Sequence, residues 1–263
     1  MSALPRSREK ATRKSGHSPP RAASGRAPIL ELAELRRQLR AAARPDHAAV
    51  LRRFFKTGPG DYGEGDVFLG VRVPAIRALV RRAGRPRLAE IIRLLQSPFH
   101  EERLLALLLL VRRFERGTLA EKAKIFQAYL AHASRINNWD LVDLSAPHIV
   151  GAWLLDRPRS QLRQLAASPS LWRRRMAVLA TFAFIRAGQY DDTLELCRLL
   201  LNDPHDLLHK ACGWMLREIG KREPSCLLGF LEAHAAAMPR AMLRYAIERL
   251  PERQRRGYLR RRS

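Results

Sequence analysis

A tryptophan and two carboxylates crowd into Ile136-Asn137-Asn138-Trp139-Asp140-Leu141-Val142-Asp143. The asparagine pair makes a polar break at which a helix can start, and on that helix Trp139 and Asp143, four residues apart, share one face. An indole beside a carboxylate can hold a cation, the ring through its quadrupole and the carboxylate through its charge. The chain around them is itself cationic, with 49 Lys+Arg against 25 Asp+Glu and a formal net charge of +24. A positively charged group carried on an anionic polymer would suit both features. A mid-helix aspartate is also commonly a solvated residue or the partner of an arginine, so its neighbours must decide.

An internal repeat supplies those neighbours. Pro169, Pro204 and Pro239 are 35 residues apart, each where a helix can begin, and Pro98 lies about two such periods upstream of Pro169. Five residues after Pro98, Pro169, Pro204 and Pro239 stand Arg103, Arg174, His209 and Arg244; eight after stand Ala106, Ala177, Cys212 and Ile247. A period near 35 with two helices per unit predicts an all-α chain built as a curved α-α solenoid of HEAT-like repeats. The unit between Pro98 and Pro169 should begin near residue 133, which puts Trp139 and Asp143 at offsets six and ten. Arg175 is at offset six of the next unit and Trp214 at offset ten of the one after. Trp139, Asp143, Arg175 and Trp214 are therefore expected on one stripe of three successive helices.

Apolar residues recur at helical spacing in 30–44, 86–95, 101–115, 119–133, 138–155, 171–187, 205–222 and 239–250, separated by Pro or Gly breaks. A glycine-rich loop, Thr57–Asp66, interrupts the pattern. Residues 1–27, rich in Ser, Arg, Pro and Gly without periodicity, are expected to be a disordered basic arm, and 28–263 one repeat domain. The arm carries +6 of the net charge, leaving +18 on the repeat region, so a basic surface is expected there and not only a basic tail. Only seven of the 49 basic residues are lysine. Arginine's bidentate grip on phosphate would favour that ratio, and so would a GC-rich genome, but the genome would not explain the net excess.

Trp172 followed by Arg173-Arg174-Arg175 could clamp phosphate at a helix start, or be a solvated basic turn. Trp153 is expected in the core. His205 and His209 have the spacing of a helical metal pair but no glutamate between them and no evident third ligand; Asp61, Glu64 and Asp66 match no Ca²⁺-loop pattern. No metal site and no cofactor are expected. Cys197, Cys212 and Cys226 are odd in number and are expected to be reduced, as in a cytoplasmic protein. Residues 1–27 lack the apolar centre of a signal peptide, and the run Leu104–Val111 is too short to span a membrane.

The chain resembles the DNA alkylation repair family, the HEAT-like-repeat DNA glycosylases of AlkD type, over roughly residues 29–260. The matching segments are Phe54-Phe55-Lys56 with its glycine-rich loop, Phe68-Leu69-Gly70-Val71-Arg72-Val73-Pro74, Asn138–Asp143, Leu171–Arg175, Lys210–Glu218 and Arg240–Glu248. The resemblance implies a monofunctional glycosylase that hydrolyses the N-glycosidic bond of N3- or N7-alkylated purines in duplex DNA. It implies Asp143 as the catalytic carboxylate, Trp139 and Trp214 as active-site tryptophans and Arg175 as the active-site arginine. Trp172, Arg173, Arg174, Lys210, Arg244 and Lys56 would contact DNA. A monomer in the bacterial cytoplasm, associated with the nucleoid, is expected. Two other readings stay open: a non-catalytic solenoid that binds damaged or branched DNA, and a protein–protein adaptor, which the basic repeat region disfavours.

Overall fold

The computed structural model describes residues 29–260, and the basic arm lies outside them. The described chain is an α-helical repeat solenoid; its only bridge pairings are two isolated ones, Leu30 with Ala83 and Val67 with Phe99. The first part comprises α1 (Leu32–Ala41), α2 (Pro45–Phe54), α3 (Val73–Arg82), α4 (Leu88–Leu95), α5 (His100–Arg116) and α6 (Leu119–Ala131). The middle holds the short α7 (Trp139–Asp143), α8 (Ala152–Leu154) and α9 (Ser160–Ala166). There follow α10 (Leu171–Arg186), α11 (Asp191–Leu199), α12 (Asp206–Gly220), α13 (Pro224–His234), α14 (Arg240–Ala246) and α15 (Glu252–Arg260).

One row of neighbours runs through the molecule: α3 against α5, α5 against α7, α7 against α10, α10 against α12 and α12 against α14. A second row covers it, with α4 and α6 on α5, α9 and α11 on α10, and α13 on α12. Helices covered this way need apolar residues on every side. That is why Leu104–Val111 of α5 and Met176–Thr181 of α10 are wholly buried. Where backbones meet most closely the chain has glycine. A Cβ on Gly151 would collide with the Ala180 carbonyl, and one on Gly213 with the Met242 carbonyl. No described helix is long and apolar enough to cross a membrane.

The Pro and Gly breaks fall at the turns between helices, but the helical pattern differs in two ways. Residues 138–155 are not one helix: after α7 the chain makes a wide π-helical turn at Pro147–Gly151 before α8. Pro147 has no N–H to return to the Asp143 carbonyl, so a regular α-helix cannot run through it. The other difference is that α2, α3, α9, α11, α13 and α15 are further helices, outside the segments expected from apolar spacing. Of these, α2 buries only Ala48 and α15 only Tyr258. Trp153, expected in the core, is half-buried against it, stacked on Phe126 at 5.6 Å with the Arg157 guanidinium 3.8 Å from its ring.

Candidate active site

The site is built on α7, a helix too short to stand without tertiary support. Asn138 caps it, its Oδ1 accepting from Trp139 N at 2.8 Å, and Asp140 Oδ1 accepts from Leu141 N at 2.8 Å. The other Asp140 oxygen, Oδ2, lies 2.8 Å from His100 Nε2 at the start of α5. His100 Nδ1 lies 2.7 Å from Asp66 Oδ2, and Arg103 Nη2 donates to Asp66 Oδ1 at 2.7 Å. Two cations and two carboxylates are thus interleaved in the interior. Burial alone would push the His100 imidazole down, but Asp140 and Asp66 outweigh it and hold its pKa up to about 9. The network fixes α7 to α5 and to the end of the glycine-rich loop.

Aromatic rings fix Trp139 from the other side. Phe68, Phe55 and Trp139 form a stack, with centroids 5.0 and 5.1 Å apart and planes within 21° of parallel, and Phe54 meets Trp139 edge-on at 5.9 Å. His100 lies on Phe68 at 4.5 Å. Beyond Trp139 opens a cleft of about 620 Å³, lined by Phe54, Phe55, Pro74, Trp139, Asp143 and Trp214, among others.

Asp143 closes the cleft beside Arg175 of α10. Arg175 Nε donates to Oδ1 at 2.8 Å and Nη2 to Oδ2 at 2.7 Å, while Nη1 is spent on the Leu207 carbonyl at 2.5 Å. The side chains are 6% and 13% exposed, Arg175 and Asp143 respectively. Burial pushes the Asp143 carboxyl above its ordinary value, with the Arg175 guanidinium opposing that shift. Trp214, on α12, is half-buried; its Nε1 donates to Glu218 Oε1 at 3.3 Å and its ring lies 6.0 Å from Phe182. The structure thus gathers Trp139, Asp143 and Trp214 around one cleft, with Arg175 behind Asp143 and outside the lining.

The expected DNA-contacting residues divide. Arg173, Arg244 and Lys56 are exposed, and Lys210 is half-exposed with Asp206 at 2.5 Å. Trp172 is half-buried at the head of α10. Arg174 instead turns into the fold. Its Nη1 donates to the Ser168 and Pro169 carbonyls, both at 2.9 Å, and its Nε lies 2.6 Å from Asp203. The equivalent Arg103 does the same, donating to the Ser97 and Pro98 carbonyls and to Asp66. Both are the arginine five residues after the repeat proline, and in both the guanidinium ties one turn to the next.

Two residues at the site escaped sequence reasoning. His100 carried no visible signal, because its partners Asp66 and Asp140 lie 34 and 40 residues away. Tyr62, in the glycine-rich loop, has its ring 6.0 Å from Trp172 and its hydroxyl beside Trp139 and Phe54. Asp66 is buried and paired, whereas Asp61 and Glu64 are exposed. Among the described residues no three His, Cys, Asp or Glu side chains gather as metal ligands. Cys197 and Cys212 are buried and Cys226 half-buried, all as free thiols.

Comparison with known proteins bears on this arrangement. No curated protein matches the chain. A solved structure described as a predicted DNA alkylation repair enzyme from Enterococcus faecalis superposes with a TM-score of 0.60 at 18% identity, covering 80% of this chain and 97% of that one. At that identity the likeness is one of fold. The sequence model of the family described as DNA alkylation repair enzyme matches residues 35–250, which takes in the cleft, the paired Asp143 and Arg175 and both tryptophans. The chain belongs to the DNA alkylation repair enzyme family.

Proposed function

We propose that the protein is a monofunctional DNA glycosylase that removes N3- or N7-alkylated purines from duplex DNA. The observation that carries this reading is a buried carboxylate, Asp143, held bidentately by Arg175 at the edge of a cleft lined by Trp139 and Trp214. An N3- or N7-alkylated purine is cationic and leaves readily. As the C1′–N bond breaks, its electron pair departs with the base and neutralises the ring, while positive charge builds on the deoxyribose. A carboxylate facing that charge stabilises it, and can take the proton lost by the water that adds to C1′. Indole faces beside it favour the cationic base and sugar. Arg175 keeps the carboxylate oriented and ionised against burial.

The repeat region's basic excess supplies the affinity for DNA. Arg173, Lys210, Arg244 and Lys56 are the exposed or half-exposed cations assigned to phosphates, with Trp172 beside them. Arg174 is left out of that surface, since its guanidinium is already used within the fold. The protein is proposed to act as a monomer, without a cofactor, on the bacterial nucleoid. The test is release of free base from duplex DNA containing 7-methylguanine. Asp143→Asn should slow release by about 10²–10³-fold, the usual effect of removing one electrostatic stabiliser. Release by this variant at the wild-type rate would refute the assignment. Salt-sensitive duplex binding with no base release from the unmutated protein would favour the non-catalytic DNA-binding reading instead.

A further inference from the structure

Trp214 reaches the cleft with its N–H already committed. It stands on α12 and lines the same cleft as Asp143. One turn further along that helix, Glu218 Oε1 accepts from the indole Nε1 at 3.3 Å. The Phe182 ring of α10 lies 6.0 Å from the indole, tilted by 51°. The indole is thus held at its ring by Phe182 and at its N–H by a carboxylate. Trp139 differs, its side chain donating to the neutral Tyr62 hydroxyl.

Glu218 is an unusual partner. Its side chain is 9% exposed, whereas acids paired to bases on their own helix usually stay in water. Lys221 Nζ is 2.5 Å from Oε1, and Arg222 Nη1 is 3.1 Å from Oε2. Burial pushes the carboxyl upward, but Lys221, Arg222 and the indole N–H outweigh it and hold it below its ordinary value. The charge therefore persists beside the ring. The two cations are 40% and 35% exposed, so water screens them more than it screens the carboxylate. An N–H that donates to a carboxylate is polarised and passes electron density to its indole, and an electron-rich ring attracts a cation more strongly.

We infer that Glu218 is a positioning residue for the reaction: it fixes the Trp214 ring and, as an ionised acceptor on its N–H, strengthens that ring's hold on the positive charge forming beside Asp143. This rests on the reading that an alkylated nucleotide enters the cleft. Glu218 lies outside the cleft lining, so it acts through the indole. Asp143 faces the charge directly, and Glu218 adds a second carboxylate at one ring's remove.

The experiment uses the full chain and two duplexes. One carries a pyrrolidine abasic analogue, cationic at neutral pH, and the other its neutral tetrahydrofuran counterpart. The ratio of the two affinities reads how strongly the site favours positive charge at the sugar, and wild type should prefer the pyrrolidine. Glu218→Gln keeps an oxygen acceptor for the indole and removes the charge. The ratio should fall about threefold, within the span of one cation–ring contact at a partly open site, with tetrahydrofuran binding unchanged. A side chain that served only to hold the fold would weaken both duplexes alike and leave the ratio intact. Trp214→Phe removes the N–H while keeping a ring, and in that background Glu218→Gln should no longer change the ratio. Circular dichroism melting checks that each variant is folded. Should Glu218→Gln not fold, the same fall is expected of Glu218→Asp, which keeps the charge but draws it back from the N–H by one methylene. An unchanged ratio in the folded variant overturns the inference. So does an equal fall with Trp214→Phe already in place, or a wild type without preference for the pyrrolidine. Its failure is distinguishable from that of the glycosylase reading. A Glu218-dependent preference without release of 7-methylguanine keeps the positioning role and removes the chemistry, whereas normal release with an unchanged ratio does the reverse.

Discussion

The Asp143–Arg175 pair makes a sharp prediction about pH. The reaction requires an ionised Asp143, and burial already pushes its carboxyl upward against the pull of Arg175. Arg175→Gln removes that pull while keeping hydrogen-bond donors near the carboxylate. Two unit charges about 4 Å apart in surroundings of effective dielectric about 20 attract by about 4 kcal/mol, so losing the guanidinium removes a substantial part of what keeps the carboxylate ionised. The carboxylate is 13% exposed and the glutamine leaves room for water, which offsets part of that loss, and the net effect is to push the carboxyl further up. The assay is single-turnover release of 7-methylguanine between pH 5 and 9. Since the deprotonated form is active, the acid limb of the profile should move to higher pH, with activity recovering as pH rises. Were the limb to stay in place while only the plateau fell, Arg175 would be acting on the DNA and not through Asp143, and the reasoning would be wrong.

Two further predictions concern what holds the site in position. Arg174→Ala leaves the Asp203 carboxylate, 4% exposed, without its cation and frees the Ser168 and Pro169 carbonyls. It should destabilise the protein by about 3–5 kcal/mol in urea unfolding while leaving the salt slope of DNA binding unchanged; a lowered slope would return Arg174 to the DNA-binding surface. His100 has a folded-state pKa raised from 6.5 to about 9, so its contribution is fully present below about pH 6.5 and is lost as pH rises through about 9. The contribution is on the order of 3 kcal/mol, and unfolding free energies of wild type and His100→Gln should converge over that window. A constant difference between them from pH 6 to 10 would show that His100 is not held as a cation.

Much of this architecture is legible in the sequence because repetition converts spacing into position. The prolines at 169, 204 and 239 set the period, and the period put Asp143 and Arg175 on one stripe of successive helices without any contact being visible. What stayed hidden has one physical character. The Asp66–His100–Asp140 network joins three elements through single polar residues, and no periodicity links a loop aspartate to histidine and aspartate on two different helices. Tyr62 was hidden for the same reason: a glycine loop has no register, so the element it reaches cannot be counted off. Helices α2, α9 and α15 were weakly marked because a helix that buries one narrow edge needs few apolar residues.

The repeat also explains why adjacent arginines on α10 have unrelated fates. Successive residues on a helix point about 100° apart, so offset five and offset six after the repeat proline look in different directions. Offset five faces the preceding turn. There Arg103 and Arg174 each donate to two carbonyls of that turn and meet a carboxylate, Asp66 or Asp203. Offset six faces along the row of helices, where Arg175 meets Asp143. After Pro98 and Pro169 the first position ties its turn down, whereas after Pro239 it is Arg244, which is exposed. At the second position the residue changes from unit to unit, Leu104, Arg175, Lys210 and Tyr245, and that variation is where the solenoid departs from its own repeat to build a site. An arginine triplet at a repeat start is therefore read by its distance from the proline: one residue ties the fold together, and its neighbour holds the carboxylate.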